Sequence, residues 1–372
     1  MPTARARTVI RRWLLRIVAP LDPGSCGLIL ALMAVGLGVL YSASGRDLMT
    51  VAGQARSMAV ALAAMCLLAH LPPHQLMRLA TPAYVFGLLL LVAVALGGEV
   101  SHGARRWLHL GPVRIQPSEF MKLVLPLALA SWFQHREQGL SLRDFTVALL
   151  LFVVPVGLIA RQPDLGTAML IASSGCYVLF LAGLSWRVLA ACAAGLGAAL
   201  PVAWGFLHDY QRQRVLTLLD PSQDPLGAGY HIIQSTIAVG SGGVLGKGWL
   251  HGTQAHLDFL PERTTDFIFA VFGEEFGMAG EIVLLLLLMS LVLRGLDIAS
   301  QASSVFNRLA AGAISLTLFT YMFVNMGMVA GILPVVGVPL PFVSYGGTSL
   351  ITLLAGQGIL MSIRHHRTLV KR

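Results

Sequence analysis

Apolar runs, each near the length of a membrane span, recur along the whole chain at about 25–42, 51–70, 79–97, 117–134, 144–160, 165–184, 188–206, 267–293, 309–331 and 348–363. A helix rising about 1.5 Å per residue needs roughly 20 apolar residues to cross a hydrocarbon core of about 30 Å. The pattern predicts an all-α, polytopic integral membrane protein with about ten transmembrane helices and both termini on one side. It divides the chain into a leading segment 1–24, a single transmembrane domain 25–363 and a tail 364–372. Within the leading segment, Val9, Ile10, Trp13, Leu14, Ile17 and Val18 share one helical face and Arg11, Arg12 and Arg16 lie elsewhere. That is the pattern of a short helix lying on a membrane surface, with a disordered basic tail as the alternative.

Composition agrees: 56% hydrophobic and 12% charged residues, with mean hydropathy +0.75, exclude a soluble globule. Charge then orients the chain. Most of the 26 Lys and Arg fall in the N-terminal segment, near 70–78, 135–143, 185–187 and 294–308, and in the tail. Short basic connections stay cytoplasmic, so both termini are expected in the cytoplasm and the long segments 98–116 and 207–266 on the outer face. A net charge of +9 favours anionic lipid headgroups or anionic substrates as partners. Nucleic acid is not expected, because no basic block stands on a soluble domain. Cys26, Cys66, Cys176 and Cys192 lack metal or redox spacing and read as packing residues. No small-residue cleavage site follows the first span, which reads as an uncleaved anchor. Nucleotide-binding motifs are missing as well.

The candidate chemistry gathers on the outer side. Phe259–Gly277, FLPERTTDFIFAVFGEEFG, sets Glu262, Arg263, Asp266, Glu274 and Glu275 at the head of an apolar run. From Asp266 to Leu293 is about 40 Å of continuous helix, longer than the bilayer core, so Asp266 is expected above the lipid with Glu274 and Glu275 near the boundary. Asp266 could be a helix cap, as could Thr265; Ala270, Gly273 and Gly277 on its face would leave room for a bulky ligand. Arg105, Arg106, Trp107 and Arg114 precede a helix start at Pro117, where Glu119 suits the dipole and Lys122 opposes it. A salt bridge between these two is the structural alternative to a functional pair. Asp164 could simply cap the next helix. Arg212 and Arg214, then the glycine-rich run Gly240–Lys247, could contact phosphate or form a re-entrant loop. The segment GILPVVGVPLPFVSYGGTS requires protein burial or a cavity at membrane depth and is expected to wall the same site. Few carboxylates, several cations and no His or Cys cluster suit transfer from a pyrophosphate-linked sugar, whose leaving group needs positive charge and whose acceptor needs one base.

QPSEFMK, RQPDLGTA, DPLGAGYHIIQS, GSGGVLGKGWLHGTQ, FLPERTTDFIFAVFGEEFG and GILPVVGVPLPFVSYGG together resemble the SEDS family of shape, elongation, division and sporulation proteins, on its RodA-like branch, from about residue 22 onward. The resemblance implies a ten-helix fold and a glycosyltransferase of the inner membrane that polymerises lipid II into peptidoglycan strands with inversion. It implies Asp266 as general base on the acceptor 4-hydroxyl, and Arg106, Glu119, Lys122, Asp164, Arg212, Arg214, Gln234, Ser235, Lys247 and Glu262 as substrate contacts. Implied partners are a class B penicillin-binding protein and membrane proteins of the elongation machinery. The chemistry admits a divalent cation such as Mg2+ or Mn2+ on the pyrophosphate, without naming its ligands. One departure stands at Thr264, where the family usually carries His. A lipid II flippase and a non-enzymatic scaffold are the competing readings; no internal repeat favours a transporter.

Overall fold

A computed structural model describes residues 18–101, 104–110, 113–136, 141–162, 164–188, 227–256, 259–260 and 262–367, with scattered residues between 190 and 224. The helices are α1 (Pro23–Ala43), α2 (Leu48–His70), α3 (Pro73–Gly97), α4 (Pro117–Gln134), α5 (Leu142–Ala160), α6 (Leu165–Leu181), α7 (Ala228–Gly242), the single turn α8 (Thr253–His256), α9 (Ile268–Ser300), α10 (Val305–Val329) and α11 (Thr348–His365). Every apolar run except 188–206 lies on one of them. Most of 188–206, the surface helix expected before Pro20 and the end of the tail fall outside the described residues.

Helix starts follow local chemistry. The Asp22 carboxylate accepts from the Ser25 amide at 3.0 Å, and Asp47 accepts from Met49 and Thr50 at 2.9 and 3.2 Å. Each satisfies amides that a helix leaves unpaired. α10 is the central helix, mostly buried and packed against α4, α6, α9 and α11. α2 and α11 also pack closely, the bare Cα of Gly358 lying against the Met65 carbonyl.

The connections sort onto two faces. On one, buried Asp22 pairs with Arg294, 2.6 Å from Nη2, and with Arg364, joining the start of α1 to the ends of α9 and α11. On the other, Arg263 Nε donates to the Ala43 carbonyl at 2.6 Å and Gln54 Nε2 to the Ser344 carbonyl at 3.1 Å. The contacts thus bring together the same connections that the arginine and lysine distribution groups on one side.

Three expectations change. The segment 98–116 is not a plain loop: Glu99–Ser101 (β1), Ala104–Leu110 (β2) and Val113–Ile115 (β3) form a small antiparallel meander in order β1-β2-β3, a local exception to an otherwise helical chain. Segment 207–266 is not a loop either, since it contains α7. Finally, α9 is not one uninterrupted rod. Gly277 has φ 63° and ψ −171°, a conformation open chiefly to glycine, and it divides a stub, 268–276, from the long helix that follows. The break would strand backbone groups at membrane depth, at several kcal/mol each. The glycine-rich run satisfies them: Lys247 and Gly248 amides donate to the Glu274 and Glu275 carbonyls at 3.0 and 2.9 Å, and Met278 and Ala279 amides donate to the Gly243 and Val244 carbonyls at 2.9 and 3.0 Å.

Candidate active site

The stub begins one residue after a tight turn, Glu262–Phe267, and Asp266 stands in that turn. It is not a cap: Phe267 holds the cap position, without a side-chain bond to the helix. The Thr265 hydroxyl donates instead to Glu262 Oε2 at 2.9 Å. What holds Asp266 is its backbone. Asn325 Nδ2, buried on α10, donates to the Asp266 carbonyl at 2.8 Å and to the Val338 carbonyl at 2.7 Å. The carboxylate faces Gly337, whose φ of 70° suits glycine and where an added Cβ would lie 3.3 Å from Asp266 Oδ2. Among the described residues none donates a hydrogen bond to this carboxylate. Burial, with a smaller contribution from the nearby Glu262 charge, pushes its pKa up to about 6. A basic carboxylate without a partner is equipped to take a proton.

The proline-rich segment 331–347 walls this site, as expected. Val336 packs its carbonyl on the bare Cα of Gly166 at the start of α6, while the next residue faces Asp266. Asp164 and Asp266 therefore flank one short loop. Asp164 is buried and does cap α6, accepting from the Thr167 amide at 3.2 Å; it also lies 3.5 Å from Arg106 Nε and 3.5 Å from Gln116 Nε2. Lys122 Nζ lies 2.6 Å from Glu119 Oε1 and 5.1 Å from the centroid of the Tyr321 ring. Both members of the pair are buried, and Glu119 Oε2 has no hydrogen-bond partner. Tyr321 and Asn325 are one turn apart on α10, so one helix face touches Lys122 and holds Asp266.

Other expected contacts go elsewhere. Ser235 is a correction: its hydroxyl is fully buried and donates to the Ile232 and Val329 carbonyls, both at 3.0 Å, riveting α7 to α10. The Lys247 ammonium sits 2.6 Å from Glu274 Oε1 and 2.9 Å from Thr253 Oγ1, in the loop that staples the two parts of α9 together. Gln234 is half-buried on α7. Arg212 Nη2 donates to the Gly205 carbonyl at 2.8 Å, and Arg214 lies outside the described residues. Glu262 is exposed, at φ 50°, and Thr264 uses its carbonyl to accept from the Tyr345 amide at 2.9 Å. Sequence reasoning missed Asn325 and Gln116. The signal for Asn325 was an amide inside an apolar span.

Glu274 and Glu275, unexplained by sequence, complete the staple. Glu274 Oε1 accepts from Lys247 and from the Thr253 amide and hydroxyl, both at 2.8 Å, and Oε2 accepts from the Gln254 amide at 3.1 Å. Glu275 Oε1 accepts from Ser42 Oγ and the Leu250 amide. Among the described residues no group of three or more His, Cys, Asp or Glu side chains could hold a metal ion, so the residues present do not form a preformed cation cage.

The family model for cell cycle proteins FtsW, RodA and SpoVE matches residues 25–369. The chain belongs to this family. It is 52% identical over 353 residues to peptidoglycan glycosyltransferase MrdB of Escherichia coli K12, covering 95% of each chain. It is 38% identical over 347 residues to the probable peptidoglycan glycosyltransferase FtsW of Synechocystis, covering 90% of this chain and 87% of that one. Among solved structures, a chain from a peptidoglycan synthase complex that coordinates polymerization and crosslinking superposes with TM-score 0.81 at 36% identity, covering 93% of this chain and 99% of that one. The rod shape determining protein RodA of Thermus thermophilus superposes with TM-score 0.71 at 32% identity, covering 93% and 97%. The chain is thus a multi-pass membrane protein of the RodA type.

Proposed function

We infer that this protein is a peptidoglycan glycosyltransferase that polymerises lipid II into glycan strands during cell elongation, from the outer face of the inner membrane. Similarity to MrdB over nearly the whole chain supports the activity. The observation that carries the mechanism is the Asp266 carboxylate, raised in pKa and without a donor among the described residues, on a turn whose backbone Asn325 holds. Asp266 takes the proton of the acceptor 4-hydroxyl as that oxygen forms its bond to the donor's anomeric carbon. The anomeric C–O bond to pyrophosphate breaks on the opposite side, giving inversion and leaving polyprenyl pyrophosphate. Arg106 and Lys122 are each paired with a carboxylate, so they offer oriented donors more than net charge to the leaving group. Arg212 and Arg214 are further candidates for that charge.

A groove of about 400 Å³ suits the polyprenyl tail. It is lined by Leu68, Leu76, Phe120, Leu127 and Ile359 from α2, α3, α4 and α11, with Glu119 at its wall. A divalent cation would arrive bound to the pyrophosphate. A class B penicillin-binding protein is the proposed partner, in keeping with the similarity to a chain from a synthase complex. The test is lipid II polymerisation by purified protein with that partner. Asp266→Asn should abolish product, and normal polymerisation by the variant would refute the assignment.

A further inference from the structure

On the other flank of the Asp266 turn lies a polar cavity of about 560 Å³, lined by Ser44, Thr50, Glu262, Arg263, Thr264 and Tyr345 among others. Its volume is within the range of about 300–1,000 Å³ usual for small-molecule sites. We infer that it is a saccharide site, seating an N-acetylhexosamine unit of the growing glycan strand next to the reacting end. The inference rests on the glycosyltransferase reading above.

Lining chemistry supports a neutral polyol. One carboxylate and one guanidinium leave no net charge, which suits a neutral sugar and offers its hydroxyls both an acceptor and donors. The hydroxyls of Ser44, Thr50 and Thr264, with that of Tyr345, can exchange hydrogen bonds with sugar hydroxyls. Tyr345 is 38% exposed, and the negative face of an aromatic ring attracts the positively polarised C–H edge of a pyranose.

The cavity is also built. Arg263 is anchored on the Ala43 carbonyl, and the Tyr345 amide donates to the Thr264 carbonyl. Buried Gln54 grips both sides of Tyr345, donating to the Ser344 carbonyl and accepting from the Gly346 amide, each at 3.1 Å. Glu262, which lines the cavity and accepts from the Thr265 hydroxyl at 2.9 Å, is held at φ 50°, a left-handed conformation uncommon for a non-glycine residue. Proximity completes the case. Thr264 precedes Asp266 by two residues, so their Cα atoms are at most about 7 Å apart, and a sugar seated here lies within reach of the bond being made.

The test uses purified full-length protein carrying Asp266→Asn, so that saccharide binding is read without turnover. A lipid-free N-acetylglucosamine tetramer, titrated by saturation-transfer NMR, should bind saturably, and inorganic pyrophosphate should not displace it. Adding Glu262→Gln or Tyr345→Ala should weaken binding about tenfold or more, which is about 1.4 kcal/mol. Tyr345→Phe keeps the ring and should retain binding. If Tyr345→Ala fails to fold, Glu262→Gln and Tyr345→Phe still decide the matter. No binding, binding unchanged by Glu262→Gln, or displacement by pyrophosphate would overturn the inference, the last by assigning the cavity to the lipid-linked substrate's head. Polymerisation by Asp266→Asn would overturn the proposed mechanism alone, because the binding readout does not use it.

Discussion

Asp266 and Glu274 are eight positions apart, at the two ends of one short helical stub, and their surroundings are opposite. Among the described residues none donates a hydrogen bond to Asp266, and burial holds its proton affinity high. Glu274 is fully buried and accepts from an ammonium, a hydroxyl and two amides. A carboxylate surrounded by donors is a structural rivet, because its charge is already neutralised and its lone pairs are used. A carboxylate left without donors keeps its basicity for a substrate. Charge at a membrane boundary is therefore not one signal, and the donors around it decide which role it has.

Removing each charge in turn separates the two roles. Asp266→Asn should lower polymerisation by about 10²–10⁴-fold, the usual contribution of a general base. Its melting temperature should not fall. The folded chain holds the Asp266 proton more tightly than the unfolded one, so ionisation costs stability as pH rises from the ordinary 3.8 to about 6, and a neutral amide avoids that cost at pH 7. Glu274→Ala should do the reverse. It strands the Lys247 charge and the α8 amides, and should destabilise the protein by about 3 kcal/mol, read as a drop in thermal midpoint in detergent. A Glu274→Ala variant that melts normally but is inactive would erase the distinction.

Smaller effects sharpen the account of Asp266. Gly337→Ala forces a left-handed alanine, at about 1–2 kcal/mol, and sets a methyl 3.3 Å from Asp266 Oδ2. Added desolvation should raise the carboxylate's pKa and move the acid limb of the rate profile to higher pH. In the wild type, the rate should fall as pH drops through about 6, since only the ionised form accepts a proton. Glu262→Gln removes a repelling charge and should shift that limb to lower pH by a fraction of a unit. A limb insensitive to both changes would mean that another group titrates.

Much was legible before any coordinates. Apolar runs of span length can be satisfied in lipid only as helices, so the helical character of nine of the expected runs followed from pattern. Pro117 and Asp164 marked helix starts by local chemistry. The stub was not legible, because Gly277 reads as helical until its backbone is seen, and the groups that make the break tolerable lie thirty residues earlier in sequence. Nor could sequence assign Lys247 or Ser235, which resemble ligand contacts by type and prove to be rivets by their partners. Asn325 looked like one polar residue in an apolar run; only the fold brings its amide to both Asp266 and Val338. Sequence alone determined which segments are apolar helices and which residue types stand at their ends, since apolar burial acts on each helix separately. Tertiary structure alone decided which charges are neutralised and which stay available, since that depends on donors contributed by distant parts of the chain.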